Sequence, residues 1–222
     1  MKKAIALFLI LISFYGYSQE NKKKPVKRDY VMIDINYSSL INAPKDVTFD
    51  FGYGLSFQFY YDYQFKVKQF SGALGIAYST DHYFSNAYLS KNDNVNGDFY
   101  QLYSYSKLDS SVKSNKYVTN YFDIPLEIRY RSNADKSGHS WKASIGFKFG
   151  FRLGSHTKTV TDNGRFQNYN FTELQKIRYG ITTRFGYGRM GVVGYYGLNT
   201  LFNKGKGQEL IPWSVGFTIT PF

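Results

Sequence analysis

The stretch SWKASIGFKFGFRLG, residues 140–154, carries Trp141, Ala143, Ile145, Phe147, Phe149, Phe151 and Leu153 on alternate positions, with Lys142, Ser144, Gly146, Lys148, Gly150 and Arg152 between them. A period of two is that of a β-strand. The sorting is strict enough to limit what the two faces can meet. In a soluble sandwich the aromatic face packs on a core and the basic face meets water. In a membrane barrel the aromatic face meets lipid and the basic face turns inward.

The same period recurs from Tyr30 to the C-terminus in about eight segments. They are YVMIDINYS, DFGYGLSFQFYYDY, FSGALGIAYS, NYFDIPLEIRYR, the stretch above, KIRYGITTRFGYG, VVGYYGLNTLF and PWSVGFTITPF; the seventh is ambiguous in register. Connections near residues 40–49, 80–117, 155–175 and 203–210 are long, and those near 64–69, 132–139 and 188–191 are short. A sandwich has no reason to alternate loop lengths in this way, whereas an outer-membrane barrel has long outer loops and tight periplasmic turns. A soluble lipocalin-like barrel would have to pack nearly every Phe and Tyr into one narrow interior. The predicted fold is a closed antiparallel transmembrane β-barrel of eight strands, up-and-down in topology. The mean hydropathy of −0.40 despite 20% aromatic residues fits apolar side chains dispersed by alternation.

The N-terminus sets the compartment. Lys2 and Lys3, an apolar run from Ala4 to about Ile12, and the small residues Gly16 and Ser18 predict a signal peptide over residues 1–19, cut near Ser18/Gln19. The apolar run is too short to span a membrane as a helix, and the absence of cysteine excludes a lipoprotein anchor and disulfides. Residues 20–29 read as a basic periplasmic leader containing KKKPVKR, followed by a single barrel domain over residues 30–222. The predicted location is the outer membrane of a Gram-negative bacterium. The formal charge of +12 raises nucleic-acid binding. The aromatic residues lie on strand alternation and not in any recognition module, which argues against it.

Segment YFDIPLEIRY, residues 121–130, has an aromatic-x-I-P-L pattern, with a proline where an ordinary strand disfavours one. With the Ser18-Gln19 cut and the aromatic C-terminus at Phe222, the mature chain resembles the PorT-like outer-membrane β-barrel proteins of Bacteroidota. That resemblance implies a small barrel in the outer membrane; some members are tied to type IX secretion and most have no assigned activity. Trp213, Val215, Phe217 and Ile219 are out of phase with the terminal Phe222, a departure from the simplest outer-membrane signal that Pro221 would correct by bending the end.

The inward positions collect Asp34, Asp62, Asp123 and Glu127 against Arg129, Arg131, Lys142, Lys148, Arg152, Arg178 and Arg184. Eight strands leave an interior that side chains fill, so these charges are expected to pair as a plug, with Glu127 and Asp123 meeting Lys142, Lys148 or Arg129. A narrow anion-preferring pore is the competing reading. A third is a hydrolase or acyltransferase in the outer loops, built on His82 and His156 at the outer rim, with His139 at the opposite end. No catalytic spacing accompanies them, and Asp81 alternates away from His82, so no enzyme, cofactor or metal is expected. The long second loop carries Tyr83, Tyr88, Tyr100, Tyr103 and Tyr105, amphipathic rings suited to contact with an envelope protein. The expected partners are outer-membrane lipid, the assembly machinery during biogenesis, and a protein bound through the loops.

Overall fold

The computed structural model describes residues 28–50, 52–92, 99–104, 112–169 and 173–221. Among these described residues eleven strands are formed: β1 (Val31–Ile41), β2 (Tyr53–Gln64), β3 (Phe70–Ser85), β4 (Ala87–Asn92), β5 (Phe99–Ser104), β6 (Val112–Arg131), β7 (Trp141–Thr161), β8 (Gly164–Asn168), β9 (Ile177–Tyr187), β10 (Met190–Gly197) and β11 (Ile211–Ile219). Eight of them close a ring in chain order, β1-β2-β3-β6-β7-β9-β10-β11, with β11 paired back onto β1 and every pairing antiparallel. Closure leaves the barrel wall without a free edge, so the backbone groups are satisfied within the sheet. Strands β4 and β5 form a separate hairpin, and β8 folds back on the outer end of β7.

Alternation becomes two surfaces. On β2, Ser56, Gln58, Tyr60 and Asp62 are buried inside while Phe57, Phe59, Tyr61 and Tyr63 are 49–71% exposed outside. Cross-strand register aligns such residues into rows; one runs Ile219, Ile33, Phe57, Tyr78, Phe122, Phe151, Ile177 through successive partners. So broad an apolar exterior has hydrocarbon, not water, as its solvent. The seventh segment's ambiguity resolves with Val192 and Tyr196 outward and with Val193 and Tyr195 inward.

One end of the barrel is tight. Strands β9 and β10 are joined by Gly188-Arg189, with Gly188 at φ +61°, a conformation that suits a two-residue hairpin and favours glycine. In the turn between β6 and β7, Asp135 accepts from the backbone N–H of Ser137 (2.8 Å) and His139 (2.9 Å). The other end is elaborate, and here two expected loops are partly strand. Strand β3 continues to Ser85, β6 begins at Val112, and β7 runs to Thr161, so the connections read as 80–117 and 155–175 are shorter than their sequence suggests.

Pro125 points into the barrel and is fully buried. Between β3 and β6 the ladder holds its register from Leu74↔Leu126 to Ala77↔Asp123 but lacks the two pairs between them, next to a residue with no N–H to donate. Its pairing with Lys148 on β7 is kept.

Candidate functional site

The lumen is the part of the molecule with the densest chemistry, and it is filled in tiers. At mid-height Arg184 of β9 donates to Asp34 Oδ2 (2.6 Å), Glu127 Oε1 (2.7 Å) and Gln58 Oε1 (3.1 Å). Gln58 donates in turn to Asp34, and Tyr60 Oη lies 2.7 Å from Glu127 Oε1. Arg129 stacks over the Tyr60 ring and donates to Glu127 Oε2 (2.8 Å) and Asp62 Oδ2 (3.3 Å). Above this, Arg178 forks onto Asp123 through Nε (3.0 Å) and Nη2 (2.6 Å) and reaches Asp81 Oδ2 with Nη1 (2.8 Å). Ser79 donates to Asp123 (2.5 Å), Ser38 donates to Asp81 (2.9 Å), and the Tyr121 ring lies 3.9 Å from the Arg178 guanidinium.

The glycines of the opening stretch now have a reason. A Cβ at Gly150 would stand 2.1 Å from Asp123 Oδ1, and one at Gly146 2.7 Å from Glu127 Cγ. The two glycines make the space in which the carboxylates of β6 meet the arginines of β9.

At the narrow-turn end Asp29, buried in the mouth, pairs with Arg131 (2.7 Å) and Lys142 (2.7 Å). At the opposite end strand ends and connections together contribute an apolar lid of Leu40, Tyr83, Tyr117, Leu174, Leu201, Phe202 and Leu210. Arg152 lies beneath it, bonded to Ser155 Oγ (3.0 Å) and the Leu174 carbonyl (3.3 Å).

All eleven residues expected in the lumen project inward, but their pairing differs from the expectation. Asp123 and Glu127 take their principal partners from β9, across the lumen, where Lys142 and Lys148 had been expected; Arg129 does meet Glu127 as anticipated. Lys142 goes to Asp29 and Lys148 lies over the Tyr195 ring. Two carboxylates were missed. Asp81 belongs to the inward phase Ser79, Asp81, Tyr83 once β3 is extended, whereas Asp29 precedes β1 and carries no periodic signal. Among the described residues the interior thus sets six carboxylates against those seven cations and Arg28 at the mouth, which reduces the anion-attracting excess implied by four against seven.

The tyrosines expected in outer-loop contacts divide. Tyr83 is 3% exposed and stacks on Tyr117 inside the lid, which corrects its assignment as a contact residue. Tyr100 stacks on Phe202 with ring centroids 6.0 Å apart, its backbone N–H donates to Lys206 O and its carbonyl accepts from Gln208 N–H, so the β4-β5 hairpin docks on the lid. Tyr88 and Tyr103 stack on each other across that hairpin. Tyr105 lies outside the described residues. Phe166 (59% exposed) and Tyr169 (64%), on and after β8, are the protruding rings that the sequence reading passed over.

His82 and His156 lie on the outer wall in one cross-strand row, separated by Val118. The Lys116 ammonium can only donate, so His82 Nδ1 accepts from it (3.3 Å) and Nε2–H is left to donate to Thr80 Oγ1 (3.2 Å). Asp81 faces the lumen, held by Arg178 and Ser38, and does not orient the imidazole. His139 sits at the narrow-turn end against Tyr187.

No curated protein matches the chain. A model of the outer membrane protein beta-barrel domain family matches residues 18–203, most of the chain. With the closed ring, the apolar exterior and the segregated connections, this protein belongs to the outer membrane protein beta-barrel domain family and is an integral barrel of the outer membrane.

Proposed function

We propose that the protein is a non-conducting, non-catalytic scaffold of the PorT-like kind from Bacteroidota, exported by a signal peptide cut near Ser18/Gln19. It acts through its outer surface as an accessory of an envelope secretion or assembly complex. The observation that carries this reading is the occluded lumen. Arg184 and Arg178 each bridge two carboxylates across the interior, and a packed apolar lid covers the outer end. A permeant ion would have to displace buried pairs and open a hydrophobic cluster, both of which oppose conduction. The aromatic-x-I-P-L segment, with Pro125 buried in the barrel, supports the finer assignment.

With the lumen closed, the surfaces left for partners are the docked β4-β5 hairpin and the protruding Phe166 and Tyr169. The test has two arms. Purified protein in planar bilayers is expected to give no steady conductance; a steady anion-selective current makes it a pore. Replacing residues 88–110 with a short Gly-Ser linker is expected to leave heat-modifiable gel mobility intact and to abolish crosslinking of the partner that the wild type captures in outer membranes. Retention of every partner moves the contact elsewhere.

A further inference from the structure

A second concentration of charge lies on the outside of the wall, and a bulge puts it there. Register between β6 and β7 runs from Tyr121↔Arg152 to Asn120↔Gly154, leaving Leu153 as an extra residue. Before it, Phe147, Phe149 and Phe151 face out. After it the phase is reversed, and Gly154, His156 and Lys158 face out opposite Asn120, Val118 and Lys116.

Above the apolar row Tyr78, Phe122, Phe151, the outward rows across β3, β6 and β7 therefore read Thr80, Asn120, Gly154, then His82, Val118, His156, then Phe84, Lys116, Lys158. Each row is two residues higher, so the histidines stand roughly 13 Å along the strands above the last apolar row, or about 10 Å in height at a tilt of ~40°. That is headgroup level, and lysine stems reach down toward it.

The cluster is one-signed. Lys116 and Lys158 are direct cross-strand partners, an arrangement that costs stability when nothing negative lies between the ammonium groups. Neither makes an ion pair with a carboxylate among the described residues; Asp81 is turned into the lumen, and Asp162 is taken by Lys113 at 2.6 Å. Flat rings flank the charges. Phe84 lies 5.4 Å from the Lys116 ammonium, Tyr53 stacks on His82 at 4.3 Å, and Tyr169 packs on His156 at 5.3 Å. Beside them a groove of about 400 Å³ runs past Leu153, Gly154, His156 and Tyr169. Leu153, 63% exposed, continues the apolar band to its lower edge.

We propose that this patch is a binding site for the phosphorylated headgroup of an outer-leaflet glycolipid, with Lys116 and Lys158 on the phosphate, Tyr53 and Tyr169 against sugar faces, and the acyl chains lying down Leu153 and Phe151. The sideways aspect of the patch, immediately above a lipid-facing band, selects a membrane lipid over a soluble anion. The site is independent of whether the lumen conducts.

Native mass spectrometry of the purified barrel in neutral detergent tests it, with lipid A, the same lipid A enzymatically stripped of phosphate, and inorganic phosphate as probes. The wild type is expected to retain phosphorylated lipid A at least about tenfold more tightly than the stripped form, and millimolar inorganic phosphate is expected not to displace it. The Lys116→Gln/Lys158→Gln variant should lose that preference, while Lys113→Gln, paired with Asp162 at the turn from β7 into β8, keeps it. Equal retention of both lipids by the wild type, displacement by inorganic phosphate, or an unchanged preference in the double variant each overturns the proposal. The wild-type comparison decides it even if the double variant does not fold.

Discussion

Replacing Arg178 by methionine keeps most of the side chain's length and removes its charge from between two buried carboxylates. Arg178 is 6% exposed and Asp123 0%, and the guanidinium makes three short bonds, two to Asp123 and one to Asp81. What remains around the carboxylates is a hydroxyl each, from Ser79 and Ser38, with Lys148 nearby. Breaking a buried pair by removing one partner costs about 3–5 kcal/mol, because the other charge is left desolvated. Adding Asp123→Asn and Asp81→Asn removes those stranded charges, so the triple variant is expected to recover more than half of the loss although it has fewer polar bonds. Urea unfolding in phospholipid vesicles reads this out through Trp141, exposed near the narrow-turn end, and Trp213, which packs edge-on to Tyr37. Coupled sites deviate from additivity by roughly 0.5–3 kcal/mol, whereas independent ones add within about 0.5 kcal/mol. Penalties that simply add across the three substitutions would mean that Arg178 does not neutralise these carboxylates, and the tiered plug would be refuted.

Three further perturbations test the two faces and the bulge. Phe147→Arg, on the lipid side near mid-band, should destabilise by about 2–4 kcal/mol in the same unfolding assay, and Lys148→Gln next door by clearly less; the reverse order would mean that the faces are exchanged. Gly150→Ala should cost about 1–3 kcal/mol by pressing on Asp123, whereas Gly154→Ala, whose Cβ would meet nothing within 4 Å, should leave the unfolding midpoint unchanged; equal effects would remove the close approach as the reason for the glycine. Deleting Leu153 should remove the bulge yet leave His156 and Lys158 facing out, because Gly154 then follows Arg152 in regular alternation, so the folded gel band should persist; its loss would mean that the bulge itself is needed for the barrel to close.

The wall was legible because a strand's period is local: Phe57 and Gln58 are sorted by parity alone, whatever the strand pairs with. Ion pairing was not, because it depends on closure. Arg184 and Asp34 are 150 residues apart and meet only once β11 has returned to β1, and Arg178 finds Asp81 over 97 residues of chain. Reasoning from neighbouring strands therefore chose Lys142 and Lys148 on β7, whereas the planar fork of arginine on β9 reaches across the interior to two carboxylates at once. Tyr83 was misassigned for a different reason. A polar stretch ended the strand too early on paper, although Ser79, Asp81 and Tyr83 continue the inward phase without a break. The lid's composition was visible, but Leu40 lies at the end of β1, Leu174 precedes β9, and Leu201 and Leu210 lie between β10 and β11, and nothing in their spacing brings the three groups together.

The bulge at Leu153 shows how one residue partitions a strongly basic chain between two environments. Were Leu153 paired in the ladder, His156 and Lys158 would continue the odd-outward phase of β7 and point inward beside Tyr117 and Asn115, adding cationic character to an interior that, among the described residues, already holds more bases than acids. That interior would need counter-ions to stay closed. With the bulge the lumen stays close to neutral and can be filled by its own side chains, while the displaced charge faces sideways from the wall just above the lipid-facing rows. The same insertion thus favours a sealed barrel and creates a basic outer flank, which ties the occlusion that argues against transport to the surface proposed to hold a phosphorylated glycolipid.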